Sequence, residues 1–182
     1  MPTYISLIRG INVGGHKKVG MEPLRKAVSA LGFKNVRTYI QSGNIIFEGP
    51  KQSTSAISKK IESILVQEFG HAASVITKTP EELGSAIAKN PFLKEKAIDP
   101  SRLHVTFLTG CPAPADLKRL EAIPSGTDRF QCQGDVLYLH LPGGMGNSKL
   151  GNAPFEKLLS VRGTARNWRT VNALHEMALN RG

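Results

Sequence analysis

Val36-Arg37-Thr38-Tyr39-Ile40-Gln41-Ser42-Gly43-Asn44-Ile45-Ile46-Phe47 is the stretch from which the rest of the chain is read. Val36, Thr38 and Ile40 alternate with Arg37, Tyr39 and Gln41, Ser42-Gly43 interrupts, and Asn44–Phe47 resumes as an apolar run. Alternation, a two-residue polar break and a second strand-like run predict an antiparallel hairpin with Ser42-Gly43 at its tip. A hairpin in this position argues against a single parallel sheet, in which every strand would need a long crossover to its neighbour.

Upstream of the hairpin, Tyr4–Ile8 reads as a short buried strand that runs into Arg9-Gly10-Ile11-Asn12-Val13-Gly14-Gly15. Met21, Leu24, Val28 and Leu31 then fall at helical spacing, and Gly32 ends that helix. Downstream, Gly49-Pro50 closes the hairpin, and Ser53 or Thr54 caps a helix carrying Ile57, Ile61, Ile64, Leu65 and Phe69. Ser74–Thr77 is the next strand. Thr79-Pro80-Glu81-Glu82 starts a helix, with a capping hydroxyl, proline in the first turn and a glutamate three residues after the cap. Asn90-Pro91 stops it, and residues 94–101 read as a polar linker.

The order then repeats. Leu103, Val105 and Phe107 make a strand, and Pro114 leads into a helix with Leu117 and Leu120. A hairpin turns around Gln133-Gly134-Asp135, Asn152 caps a helix with Phe155, Leu158 and Leu159, and Thr164–Trp168 forms a strand. Thr170 caps a last helix with Val171, Leu174 and Ala178. Each half therefore reads β-α-β-β-α-β-α, an α+β chain. The unit β-α-β-β-α-β is the split βαβ, or ferredoxin-like, arrangement. Two such modules with antiparallel sheets are expected, at 1–97 and 98–182, packed separately or as one compact unit.

The net charge of +10 is unevenly placed. Residues 1–37 carry seven Lys/Arg against one Glu, and residues 149–182 carry six against two, while the chain between them is balanced. The excess thus borders two glycine-rich stretches, Arg9–Gly15 and Gly143–Leu150, which pair backbone freedom with amides and cations. That combination suits an anion, such as a phosphate, free or on nucleic acid; the alternative is a basic solvated surface. Arg9, Asn12, Gly14, Gly15, Gln41 and Asn44 from the first half are the candidate ligand-binding residues, with Ser148, Lys149, Arg166 and Asn167 from the second. Arg9–Gly15 and Asn147–Lys149 are expected to lie near one another.

Several chemistries find no support. Gly146-Asn147-Ser148-Lys149 has serine before lysine and so fails as a phosphate-binding P-loop. Cys111 and Cys132 form no Cys-x-x-Cys pair and the five histidines show no ligand spacing, so no metal is expected. No nucleophile elbow or acid pair nominates a catalytic residue, and no cofactor is indicated. Trp168, flanked by Arg166 and Arg169, reads either as a stacking platform for a base or as the anchor of the last helix. No apolar run is long enough for a membrane span, and Met1–Tyr4 shows no basic leader; a cytoplasmic protein is expected.

Leu7–Gly15, Thr38–Asn44, Ser148-Lys149-Leu150 and Thr164–Trp168 together resemble the signatures of the bacterial domain of unknown function 1697 family. The likeness extends over nearly the whole chain, departing at Asn147, where many relatives carry arginine. It implies paired ferredoxin-like modules and brings no activity, cofactor or catalytic residue. The expectation for function is a protein that binds a phosphate-bearing ligand at its glycine-rich loops. An enzyme acting on a nucleotide or phosphorylated metabolite and a nucleic-acid-binding module are the alternatives.

Overall fold

The computed structural model describes residues 1–180. The chain forms two four-stranded antiparallel sheets and six α-helices. It divides into two compact units, one built from Met1–Ser85 together with the segment from Ala173 onward, the other from Ala86–Asn172.

In the first unit the order is β1 (Thr3–Ile8), α1 (Met21–Ala30), β2 (Lys34–Tyr39), β3 (Asn44–Glu48), α2 (Thr54–Phe69), β4 (Val75–Lys78) and the start of α3 (Pro80–Ala88). The sheet order is β2-β3-β1-β4. β1 lies in the interior, antiparallel to both β3 and β4, and all six of its residues are buried. Apolar side chains on both faces make that position favourable, since each fully buried Ile or Leu contributes about 1.5–3 kcal/mol. On one face Tyr4, Ile8, Ile45 and Phe47 meet Leu24 and Val28 of α1 and Ile57, Ile61 and Leu65 of α2. Phe33 packs against Phe47 with the ring centres 4.6 Å apart and the planes tilted by 43°. Two small polar side chains, Thr3 and Ser6, are also buried in β1. The Ser6 hydroxyl bonds Thr77 Oγ1 of β4 at 2.8 Å, and Ser58 of α2 donates to the same oxygen at 2.9 Å. Three buried hydroxyls thereby satisfy one another.

The helix ends follow the sequence signals where local chemistry alone decides them. Gly32 is left-handed (φ 91°) just beyond α1. Ser53 Oγ accepts from Ala56 N at the start of α2. Thr79 and Glu82 exchange both bonds of a capping box, Thr79 N to Glu82 Oε2 at 2.9 Å and Glu82 N to Thr79 Oγ1 at 3.2 Å.

The β2–β3 hairpin forms, but its loop has four residues rather than two. Tyr39 pairs with Asn44, leaving Ile40–Gly43 to turn the chain, with Ile40 (φ 48°) and Gly43 (φ 81°) left-handed. The cause is Asn44, fully buried, whose Nδ2 donates to Tyr39 O at 3.0 Å and Ser42 Oγ at 2.9 Å and so fills the loop from beneath. Ile40, which continues the alternation of β2 in sequence, is thereby in the loop and exposed.

The second unit repeats the order with β5 (Leu103–Leu108), α4 (Pro114–Glu121), β6 (Arg129–Gln133), β7 (Val136–His140), α5 (Phe155–Leu159), β8 (Gly163–Asn167) and the start of α6 (Trp168–Leu179). Its sheet runs β6-β7-β5-β8. Here the hairpin does turn on two residues, Gly134-Asp135, with Gln133 opposite Val136. Leu108, Leu120, Leu137, Leu139, Leu141, Leu150 and Leu159 form the core on one face of this sheet. Residues 94–101, read from composition as a linker, carry two anchors: Glu95 takes Arg129 of β6 in a bidentate pair, and Asp99 caps a short 3-10 turn at Pro100–Arg102.

Three expected ends in this unit are corrected. Asn152 does not cap α5; its Nδ2 donates back to Met145 O and Ser148 O, and Pro154 occupies the cap position. Trp168 is the first residue of α6 rather than the last of a strand, and it is buried. The cap of α6 is Asn167, whose Oδ1 accepts from Thr170 N at 2.8 Å, so Thr170 lies inside the helix.

Candidate functional site

The glycine-rich loop between β1 and α1 bends through five left-handed residues: Gly10 (φ 69°), Asn12 (φ 55°), Gly14 (φ 59°), Gly15 (φ 77°) and Lys17 (φ 47°). Its organiser is Asn12. Oδ1 accepts from Val19 N at 2.8 Å, while Nδ2 donates to Val19 O at 2.9 Å and to Gln41 O at 2.8 Å. One amide thus closes the loop on itself and fastens it to the hairpin loop. The backbone adds Asn12 N to Lys17 O at 3.1 Å, and Ile11 is buried in the core beneath.

Between the two loops is a cleft of about 350 Å³ lined by Asn12, Gly15, Lys18, Val19, Gly20 and Gln41. Gly20 is the N-cap of α1 and offers no side-chain cap, so the first amides of the helix, Met21 and Glu22, are left to other acceptors. Pro23 has no N–H to contribute. Lys18 supplies the cation on the lining. Of the sequence candidates, the structure brings together Asn12, Gly15 and Gln41 at this cleft. Arg9 and Gly14 are exposed on the same loop but are not part of its lining, and Asn44 is spent under the hairpin loop. Lys18 was not among the candidates. The signal available was its position two residues before an uncapped helix start. A larger cleft, of about 510 Å³, sits at the other end of β1 beside Thr3, Lys51 and Glu81 and holds none of the sequence candidates.

In the second unit the candidate residues are mostly occupied. Ser148 is buried; its hydroxyl donates to Asp128 Oδ2 at 2.6 Å and accepts from Gly151 N at 2.7 Å. Lys149 is exposed. Arg166, opposite Val105 on β5, is half-buried and donates to Ala165 O at 2.9 Å; burial pushes its guanidinium down to about 10. Asn167 caps α6.

The same unit contains two histidines that burial makes harder to protonate. His104 Nδ1 is buried, and desolvation lowers its pKa from 6.5 against the smaller opposing effect of a backbone hydrogen bond with Arg102. His140 is lowered by desolvation first and by the adjacent Arg129 second; Arg129 Nη2 lies 3.0 Å from His140 Nδ1. A base whose folded pKa lies below its unfolded value takes up its proton more readily when unfolded. Its stabilising contribution is complete above pH about 6.5 and is lost as the pH falls through the window beneath. Glu95 and Asp99 are lowered too, but from 4.5 and 3.8, so their loss comes at more acid pH. The melting temperature is therefore expected to decline already as the pH falls below about 6.5, before the carboxylates titrate. His140→Gln, which keeps an acceptor for Arg129 and removes the titration, should flatten that decline; an unchanged slope in thermal melts would reject the assignment to His140.

These features define an α+β protein with two antiparallel sheets whose first unit carries a glycine-rich loop over a small, cation-bearing cleft. The chain belongs to the family described as protein of unknown function (DUF1697), whose sequence profile matches residues 1–138. Among solved structures it is similar to the conserved bacterial protein SP0830 from Streptococcus pneumoniae, with a TM-score of 0.75 and 23% identity over 97% of this chain and 98% of that one. That likeness is one of fold. No curated protein matches the chain. Among the described residues, no helix is long and apolar enough to cross a membrane.

Proposed function

We propose that the protein binds a phosphate-bearing ligand, a nucleotide or phosphorylated metabolite, at the cleft between the glycine-rich loop and the hairpin loop. The supporting observation is the convergence of Lys18 with the uncapped N-terminus of α1 on one small cavity. Helix N-termini favour anions through their unpaired amides and dipole. Asn12 acts in this reading as a positioning residue, since its amide is committed to Val19 and Gln41. Arg9 extends the basic rim. In the second unit the candidates for polar contacts are Lys149, Arg166 and Asn167, the last of which also caps α6.

The same proposal carries the finer architecture and the setting. Each unit is a ferredoxin-like module, supported by the strand orders β2-β3-β1-β4 and β6-β7-β5-β8 with their antiparallel pairings. The absence of a long apolar helix among the described residues is compatible with a cytoplasmic setting.

Calorimetric titration with inorganic phosphate tests the site. Lys18→Ala should weaken binding at least about tenfold, the worth of one charge-assisted contact. Undiminished affinity in that variant, or no binding by the unaltered chain, overturns the proposal. Salt separates the nucleic-acid alternative: an oligonucleotide gripped through several phosphates loses affinity steeply as salt rises, whereas a single pocketed phosphate does not.

A further inference from the structure

We propose that Cys111 and Cys132 join in an intramolecular disulfide when a peroxide oxidises the protein, Cys111 reacting first and Cys132 resolving it. The pair belongs to the second unit and is independent of the cleft in the first.

The two cysteines are distant in sequence, and the sheet brings them to one place. Cys111 lies three residues past the end of β5, in the connection to α4. Leu108, the last residue of β5, donates its N–H to Asp135 O at 2.9 Å, which holds that end of β5 against the β6–β7 turn. Cys132 is the next-to-last residue of β6 and leads into the same turn. A single glycine separates the sulfurs. A Cβ placed on Gly134 would stand 4.0 Å from Cys111 Sγ. The carbonyl oxygen of Gly134 accepts from Cys132 Sγ at 3.6 Å. Gly134 brings no side chain of its own to the gap.

Both thiols also stand on one side of the sheet. Phe130 and Cys132 are the half-buried residues of β6 and pack on the leucine core, whereas Arg129, Gln131 and Gln133 are exposed. Leu120 of α4 belongs to that core, so the connection carrying Cys111 crosses to the face on which Cys132 lies. Joining the sulfurs at about 2.05 Å calls for movement. Cys132 is held in its strand, and Thr109 N is tied to Arg162 O at 2.9 Å. The freedom to close therefore begins at Gly110, in a stretch without regular structure.

Exposure divides the roles. Cys111 is exposed and Cys132 is half-buried. Burial first, and then the charges of Cys111 and Asp135, raise the Cys132 thiol above its usual 9.0. Cys132 is thus the slower thiol toward a dissolved oxidant. The Cys111 thiolate attacks one oxygen of hydrogen peroxide, the O–O bond breaks, and hydroxide leaves. The Cys132 thiolate then attacks the sulfur of the sulfenic acid so formed. The S–S bond forms as the S–O bond breaks, and a second hydroxide leaves. The two thiol protons complete two waters, and two electrons pass from sulfur to the peroxide. The product ties the β5–α4 connection to β6, the edge strand of its sheet.

The test is exposure of the full chain to hydrogen peroxide, alkylation of the remaining thiols, and peptide mapping without reductant. Trypsin cuts after Lys118 and Arg129 and so puts the two cysteines on separate peptides. The expected product is a monomer lighter than the reduced chain by two hydrogens, with those peptides joined and both thiols restored by dithiothreitol. In Cys132→Ser, dimedone should trap the sulfenic acid at Cys111. In Cys111→Ser, loss of the Cys132 thiol should slow at least about tenfold, as burial and a raised pKa dictate. A disulfide-linked dimer, a Cys111 sulfinate beside a Cys132 that still alkylates, or two unreacted thiols would overturn the proposal. So would an unchanged rate at Cys132 in Cys111→Ser.

Discussion

Gly43→Ala is expected to destabilise the first unit by about 2–4 kcal/mol, from two causes acting together. Gly43 is left-handed at φ 81°, where any other residue except asparagine or aspartate is strained. A methyl group there would also stand 2.9 Å from Ile8 Cβ and 2.9 Å from Ile11 Cδ1. Ile11 can rotate a terminal carbon aside, but Ile8 Cβ is fixed to the last residue of β1, and Ile8 N is bonded to Gly43 O at 2.8 Å. The clash therefore has to be relieved by pulling the hairpin loop off the sheet. Denaturant melts measure the loss. Gly134→Ala supplies the comparison: it is also left-handed, at φ 61°, but its nearest neighbour would be Cys111 Sγ at 4.0 Å. Equal losses at the two glycines would show that close approach at Gly43 contributes nothing.

The second large effect is expected at Asn12. Asn12→Ala removes three hydrogen bonds and leaves the Val19 amide and two carbonyls to find water, a loss of about 2–3 kcal/mol for a partly exposed side chain. Asn12→Asp is the sharper probe because it keeps the shape. Its carboxylate can still accept from Val19 N, but it turns negative charge on Val19 O and Gln41 O, where the amide donated. Repulsion raises the folded pKa of the new carboxyl above its unfolded value. The penalty is then present at neutral pH and shrinks, relative to the parent at the same pH, as the pH falls through that raised pKa. A penalty in Asn12→Asp that does not depend on pH would mean that the amide is not donating to those carbonyls.

What could be read from the chain, and what could not, divides along the range of the interactions. The succession of strands and helices, the left-handed Gly32, the capping box at Thr79 and Glu82, and the hairpin around Gly134 are fixed by residues close in sequence. The errors arise where a side chain acts at a distance that sequence order does not announce. Asn44 reaches back under its own loop and lengthens it to four residues. Asn152 turns toward Met145 and Ser148 instead of forward to α5, and Asn167 captures the amide that leaves Thr170 inside α6. Asparagine competes for backbone groups on either side of itself, so its partner is set by the path of the chain. The cleft shows the same division. Asn12, Gly15 and Gln41 could be nominated by type, whereas Lys18 gains its place only because Asn12 folds the loop back by seven residues to Val19.

The first unit does not consist of consecutive residues. Its last segment begins at Ala173, and Arg37 of β2 donates to Met177 O at 2.7 Å and to Asn180 O at 3.2 Å at the end of α6. During synthesis, the part made first must therefore wait for the part made last. At roughly 5–20 residues per second, the ribosome needs on the order of ten seconds to pass from Ser85 to the end of α6. Through that interval Arg37 has neither carbonyl, while the intervening unit, Ala86–Asn172, emerges as one unbroken stretch. The order in which the units can be completed on the ribosome is the reverse of the order in which they begin.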